Sequence, residues 1–217
     1  MGTTRFQIAV SLDGYMAGPH QSEKEPLGAG GVRLHQWAFP LKAWRRAQGL
    51  TGGAVNASTP VVEEVQASVG AVVMGRNMFG GGPGPWGEDP WRGWWGENPP
   101  FHAPVFVVTH HPRGPLELEG GTTFHFVTDG VGSALEQAKR AADGMDVLIA
   151  GGADILRQCL TAGVVDEFYL HIVPVLLGAG ERLFEDVKEL ELEQVRAVAA
   201  PNVTHIKYRV ASQRPAL

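Results

Sequence analysis

Three short runs gather residue types suited to holding a phosphorylated ligand. Gly151-Gly152-Ala153-Asp154 stands between an apolar run and a helical pattern. Paired glycines there let a ligand approach the backbone, and the free N–H groups of a helix start suit a pyrophosphate. The same glycines equally permit a tight strand-to-helix turn, so this run alone leaves both readings open. In Gly75-Arg76-Asn77-Met78 a guanidinium follows the glycine. Such a group forms two parallel hydrogen bonds to one phosphate, a plain surface arginine being the alternative. Thr109-His110-His111, with Arg113 close behind, offers hydroxyl and imidazole groups to a ribose 2′-phosphate, or else is a solvated loop.

The elements that must position these runs follow from apolar patterning. Phe6 to Val10 is an apolar strand opening into the turn Ser11-Leu12-Asp13-Gly14. Val32 to Gly49 carries Leu34, Trp37, Ala38, Leu41 and Trp44 at helical spacing, with Pro40 kinking or dividing the helix. Ser58-Thr59-Pro60 predicts a helix start with a hydroxyl cap and proline just inside, and Glu63 and Glu64 in the first turn or so, where the dipole favours them. Strands are expected at 71–74, 105–108, 123–127, 145–149, 168–173 and 204–210, the last antiparallel at the end of the sheet. Helices are expected at 131–142 and 152–162. Strands alternating with helices imply βαβ units and a parallel sheet, so all three runs fall at carboxyl ends of strands, where ligands sit in open α/β sheets. No acidic residue beside Thr109 to His111 stands ready for a ribose hydroxyl, which leans towards NADP over NAD.

The 217 residues, 44% of them hydrophobic, suffice for one core, and the expectation is a single domain over residues 1–217. A net charge of −5 argues against nucleic acid as a partner, since phosphate contacts need a basic surface. Cys159, the single cysteine, cannot form an internal disulfide and reads as a buried apolar residue. No run approaches a bilayer span, no secretory leader is visible, and no His/Cys zinc signature stands out. The expectation is therefore a cytoplasmic protein with no membrane partner and no metal.

Val72 to Phe79 resembles the strand-Gly-Arg segment of dihydrofolate reductases. Phe124 through Ala142, then Val147 to Ala153, resembles their strand, helix and Gly-Gly segment at matching spacing. Asp166 to Gly178 and Ser11 to Ala17 look closer still to the C-terminal reductase domain of riboflavin-biosynthesis deaminase-reductases. The similarity covers the chain outside about residues 20–58 and 80–100. It implies a dihydrofolate-reductase-like α/β fold: a mostly parallel central sheet flanked by helices, with an antiparallel C-terminal strand. It implies NADPH as cofactor, with Ala9, Val10, Met16 and Ala17 near the nicotinamide. Gly75, Arg76, Asn77, Met78, Thr109, His110 and His111 would hold the adenosine-phosphate half. Gly151, Gly152, Ala153, Asp154, Ile155 and Leu156 would hold the pyrophosphate. Relatives of this kind dimerise, so a homodimer is expected by analogy.

The sequence also departs from both parents. Counting back from the Gly-Arg strand, the buried acid of folate reductases falls near Thr59; Glu63 and Glu64, a turn further on, are the candidate replacements, or else serve the helix dipole. Ile149 stands where riboflavin-pathway reductases carry a substrate-facing Glu. Trp86, Trp91, Trp94 and Trp95 lie in the one long irregular stretch, 80–100. They are read as an aromatic wall for a flat heterocycle, as packing that orders a loop, or as a dimer contact. His102, near that stretch, is a candidate acid or base; Trp86 and Asp13 are candidate substrate contacts, Asp13 chiefly as a turn former. The expected function is NADPH-dependent reduction of a planar nitrogen heterocycle, a ribosylamino-pyrimidine, pterin or dihydrofolate. The alternatives are an NADPH-binding regulatory module without turnover, and a flavin-using reductase.

Overall fold

The computed structural model describes residues 2–211. The described residues divide into two compact units: 2–5 with 68–159, and 6–67 with 160–211.

The first unit is built on β3 (Val69–Gly75), β4 (Pro104–Val108), β5 (Leu116–Glu117), β6 (Thr123–Val127) and β7 (Asp146–Gly151), in spatial order β7-β3-β4-β6-β5. β7, β3, β4 and β6 are mutually parallel, and the short β5 runs antiparallel to β6. Ala71 to Met74 and Val105 to Val107 are buried in unbroken runs, as strands covered on both faces require. α4 (Gly130–Ala141) buries Val131, Ala134, Leu135 and Ala138, a single face at helical spacing. At about 25 cal/mol per Å² of buried apolar area, that stripe, not intrinsic propensity, holds the helix in place. Two further helices start directly from strand ends: α3 (Arg76–Phe79) after β3, and α5 (Ala153–Thr161) after β7. Cys159 of α5 is buried, and burial pushes its thiol up to about 12, so it stays protonated.

Residues 80–100 have almost no regular structure, yet they are packed. The Trp91 Nε1–H donates to the Phe79 carbonyl at 2.8 Å, and the Trp94 Nε1–H to the Met78 carbonyl at 3.0 Å. Trp95 packs edge-on against Phe101. The loop-ordering reading of these tryptophans is the one this geometry matches. Gly80 (φ +89°) and Gly81 (φ +83°) allow it: a Cβ on Gly80 would meet the Trp94 ring at 2.7 Å, and one on Gly81 would meet Trp91 at 2.6 Å.

The second unit contains β1 (Thr4–Ser11, from Phe6 onward), β8 (Glu167–Val173), β10 (Leu192–Ala200) and β11 (Val203–Val210), in spatial order β10-β11-β8-β1. β2 (Tyr15–Ala17) and β9 (Glu181–Arg182) form a separate small ribbon. Its helices are α1 (Lys42–Ala47) and α2 (Thr59–Gln66). Leu34, Trp37, Leu41, Val62, Val173 and Val203 form its core.

The fold class is as expected: mostly parallel strands with helices, and an antiparallel C-terminal strand pair. Several local expectations are corrected. The helix expected over 32–49 is a 3-10 turn at Gly31–Leu34 and the short α1, because Pro40 cannot supply the N–H that would join them. Ser58 precedes α2 but makes no side-chain cap; its hydroxyl is bonded to His205 Nε2 at 2.9 Å instead. Glu63 and Glu64 fall just past the first turn of α2, within the range expected. β11 is not the last strand of the sheet, since β10 pairs antiparallel outside it.

Candidate functional site: strand ends of the first unit

The three runs singled out by residue type come together at the carboxyl ends of adjacent strands. Met74 of β3 is in register with Gly151 of β7, and Gly75 with Val108 of β4. Chain geometry therefore sets Arg76, Thr109 and Gly152 side by side. The approach is close: a Cβ on Gly75 would stand 2.8 Å from Ile155 Cγ1 and 3.7 Å from the Gly152 nitrogen, and one on Gly151 would stand 3.5 Å from Met78 Sδ. Gly151 has φ +130°, and the Gly151–Gly152 peptide is cis. α5 begins at Ala153, so its first N–H groups leave from this glycine pair. Asp154 is exposed, and its carboxylate accepts from Gln158 Nε2 at 2.7 Å. Ile155 and Leu156 are buried and seat the helix.

Thr109 is buried; its N–H donates to the Val127 carbonyl at 3.0 Å and its hydroxyl accepts from the His111 N–H at 3.2 Å. These bonds fix the turn after β4 and leave His110 exposed. Asn77 is exposed and Met78 half-buried. Arg76 is the most constrained of the set. Its Nη2 donates to the Gly81 carbonyl at 2.9 Å, and its guanidinium carbon lies 3.1 Å from the centre of the Trp86 ring. Its Nε and Nη1 are buried without a hydrogen-bond partner. Arg113 sits 4.8 Å from the same ring and donates to the Trp91 carbonyl at 2.5 Å. Neither guanidinium has a carboxylate partner among the described residues. Burial, and then the charge of Arg113, pull the Arg76 guanidinium below its ordinary value. Two like charges gathered at one strand end form an electropositive spot suited to an anion. Arg113, close behind Thr109 to His111 in sequence, thus joins Arg76 at the same indole.

The remaining candidates lie on other elements. His102 lies before the amino end of β4, opposite the end that carries Thr109, and its Nδ1 is bonded to the Gly120 carbonyl at 2.9 Å. In the second unit, Ala9 and Val10 of β1 and Met16 and Ala17 of β2 are buried. Asp13 accepts from the N–H groups of Leu177 at 3.1 Å and Gly178 at 2.7 Å. The Ser11 hydroxyl and then those two backbone groups hold its carboxyl down at about 2, which makes it an ionised loop clamp. Glu63 is exposed on α2. Glu64 is half-buried and bound to Arg196, Lys207 and Tyr169. Burial works against its charge, but the bonds from Lys207 and Arg196 outweigh it and leave the carboxyl below its ordinary value. Thus α2 carries no buried unpaired acid. Ile149 is fully buried in β7. Among the described residues no three His, Cys, Asp or Glu gather to hold a metal ion, and no helix is long and apolar enough to cross a membrane.

A family model described as the RibD C-terminal domain matches residues 3–206. The chain belongs to the RibD C-terminal domain family. Among solved structures, this RibD C-terminal domain is similar to a protein of Shewanella sp. PV-4 assigned to riboflavin biosynthesis: 20% identity, TM-score 0.61, 96% of this chain and 99% of that one. It is also similar to the diaminohydroxyphosphoribosylaminopyrimidine deaminase/5-amino-6-(5-phosphoribosylamino)uracil reductase of Thermotoga maritima. There the identity is 15% and the TM-score 0.58, over 97% of this chain and 57% of that one. Dihydrofolate reductase of Enterococcus faecalis, solved with NADP(H), gives 13% identity and a TM-score of 0.51 over 96% of each chain. At these identities the likeness is one of fold. Among curated sequences, Bacillus subtilis YyaP is 39% identical over 64 residues, which is 30% of this chain and 34% of YyaP. YwjB of the same organism is 31% identical over 62 residues, 35% of its length. The matched stretch is thus about a third of either relative.

Proposed function

We propose that this RibD-type domain is an NADPH-dependent reductase of a planar nitrogen heterocycle, in the class of the ribosylamino-pyrimidine named for the Thermotoga maritima relative. The observation that carries the reading is the half-buried, ion-pair-free Arg76 beside Arg113, set against the Gly151–Gly152 start of α5. A phosphorylated dinucleotide fits this chemistry. Arg76 Nε and Nη1 are buried donors in want of an acceptor, and leaving a charged donor unsatisfied costs more than about 1 kcal/mol. In this reading Arg76, Arg113 and Thr109 hold the adenosine phosphate. The glycine pair and the first N–H groups of α5 hold the pyrophosphate. NADPH, when bound, supplies the hydride; the protein binds, orients and excludes water.

A second reading, cofactor binding without turnover, is favoured by Ile149 and by the ion-paired state of Glu64, which remove the two acids that the resemblance would put to work. The test separates them. Purified protein is titrated with NADPH and NADH, then assayed for loss of reduced-nicotinamide absorbance with the phosphoribosylamino-pyrimidine, dihydrofolate and a pterin series. Substrate-dependent oxidation supports the reductase. NADPH binding with no oxidation supports the second reading, and no NADPH binding defeats both.

A further inference from the structure

Trp86 raises a physical conflict with the reading above. Its indole is stacked on the Arg76 guanidinium at 3.1 Å. Its Nε1–H donates to the His111 carbonyl at 3.0 Å, so the ring bridges the turns after β3 and β4. Phe79 and Phe126 meet it edge-on at 5.9 and 5.1 Å and hold it in plane. Under this cover Arg76 Nε and Nη1 are sealed from solvent with no partner. An anion cannot reach those donors while the indole stays where it is. Yet no covalent or helical constraint holds the ring: Trp86 sits in an irregular stretch, flanked by Pro85 and Gly87, with Gly84 close by.

We infer that Trp86 is a latch on the phosphate site, displaced from Arg76 when a ligand bearing a ribose 2′-phosphate binds. This rests on the proposed cofactor reading and adds its regulation. The stack keeps Arg76 in place while it lacks an anion, because the indole face stabilises a cation that would otherwise be buried bare. The ligand replaces one favourable contact with a stronger, charge-assisted one. The latch is therefore a tax on affinity, and its removal tightens binding.

The probe is 2′,5′-ADP, which carries the 2′-phosphate and no nicotinamide chromophore. Trp86→Ala is expected to bind it about tenfold more tightly than the native chain by calorimetry, the free energy of one cation–π contact and one hydrogen bond recovered in part. Trp86→Phe, which keeps a ring over Arg76 without the bond to His111, is expected to fall between. In the native chain the ligand should also change tryptophan emission, and Trp86→Phe should lose that change. Should Trp86→Ala bind 2′,5′-ADP equally or more weakly while its far-ultraviolet dichroism and cooperative melting stay native, the latch is wrong and the cofactor site stands. Should neither native nor variant protein bind 2′,5′-ADP or NADPH, the cofactor site itself is wrong, and the latch with it.

Discussion

Ile155 Cγ1 lies 2.8 Å from the point where a Cβ on Gly75 would stand. This contact seats the first turn of α5 on the end of β3 and so fixes the Gly151–Gly152 pair next to Arg76. Gly75→Ala must push the helix start away by several tenths of an ångström, at an overpacking cost of about 1–3 kcal/mol. The expected outcome is a lower melting temperature together with NADPH affinity weakened by about tenfold or more, read by calorimetry. Unchanged affinity would show that the spacing of these two strand ends is immaterial to the ligand.

The loop over residues 80–100 depends on glycine at its hinge. Gly80→Ala places a Cβ against the Trp94 ring in a backbone conformation that L-residues rarely adopt. We expect a loss of more than about 1 kcal/mol in stability and a red-shifted tryptophan emission as the indoles become wetter. Native emission and stability would mean the loop is not held by its tryptophans.

A buried histidine pair makes the second unit sensitive to acid. His171 and His205 meet Nδ1 to Nδ1 at 2.8 Å, with Ser58 and Gln7 on their outer nitrogens and Trp37 edge-on to both. Tyr169 stacks on His171. One bridging proton satisfies the pair, and two would oppose each other. Burial, and then the charges of His205 and His35, depress His171; burial and Arg196 depress His205 to about 4. The unfolded chain, with histidines near 6.5, takes up protons first as the pH falls. The contribution to stability is thus complete above about pH 6.5 and is lost on the way down, to about 4 for His205 and about 3 for His171. The melting temperature should decline from about pH 6.5 to about pH 5, before carboxylates titrate, and the double variant His171→Leu/His205→Leu should flatten that decline. The same slope in both proteins would contradict the assignment.

Glu64 and Glu63 offer an internal comparison on α2. Glu64 ties the helix to β8, β10 and β11 through Tyr169, Arg196 and Lys207, whereas Glu63 faces solvent. Since the Glu64 network is partly exposed, Glu64→Gln should cost about 1 kcal/mol, and Glu63→Gln no more than about 0.5 kcal/mol. With its folded value depressed, the Glu64 contribution is present above the ordinary carboxyl range and is lost as the pH falls through it. Chemical denaturation at neutral pH and at about pH 4 checks both statements.

The first unit was the legible part of the fold. Its strands are unbroken apolar runs such as Ala71 to Met74, and α4 carries one clean apolar face, so length and period agree. β10 was not legible. Leu192 to Val198 mixes Glu193, Gln194 and Arg196 with apolar residues, and most of the strand is exposed, so no buried face imposes alternation. The Ser58 hydroxyl misled because a cap and a partner for a buried histidine look identical in sequence. The candidate site was legible where glycine and arginine follow strands. The stacking of Arg76 and Arg113 on Trp86 was not, because packing across a loop leaves no periodic trace.

The most direct test compares cofactors on Arg76→Ala. Calorimetry on the native chain and the variant gives the dissociation constants of NADPH and NADH. The variant is expected to lose about tenfold or more in NADPH affinity while NADH changes by less than about threefold, since the two differ only in the 2′-phosphate that the guanidinium would hold. Equal losses for the two cofactors, or none for either, would contradict this expectation.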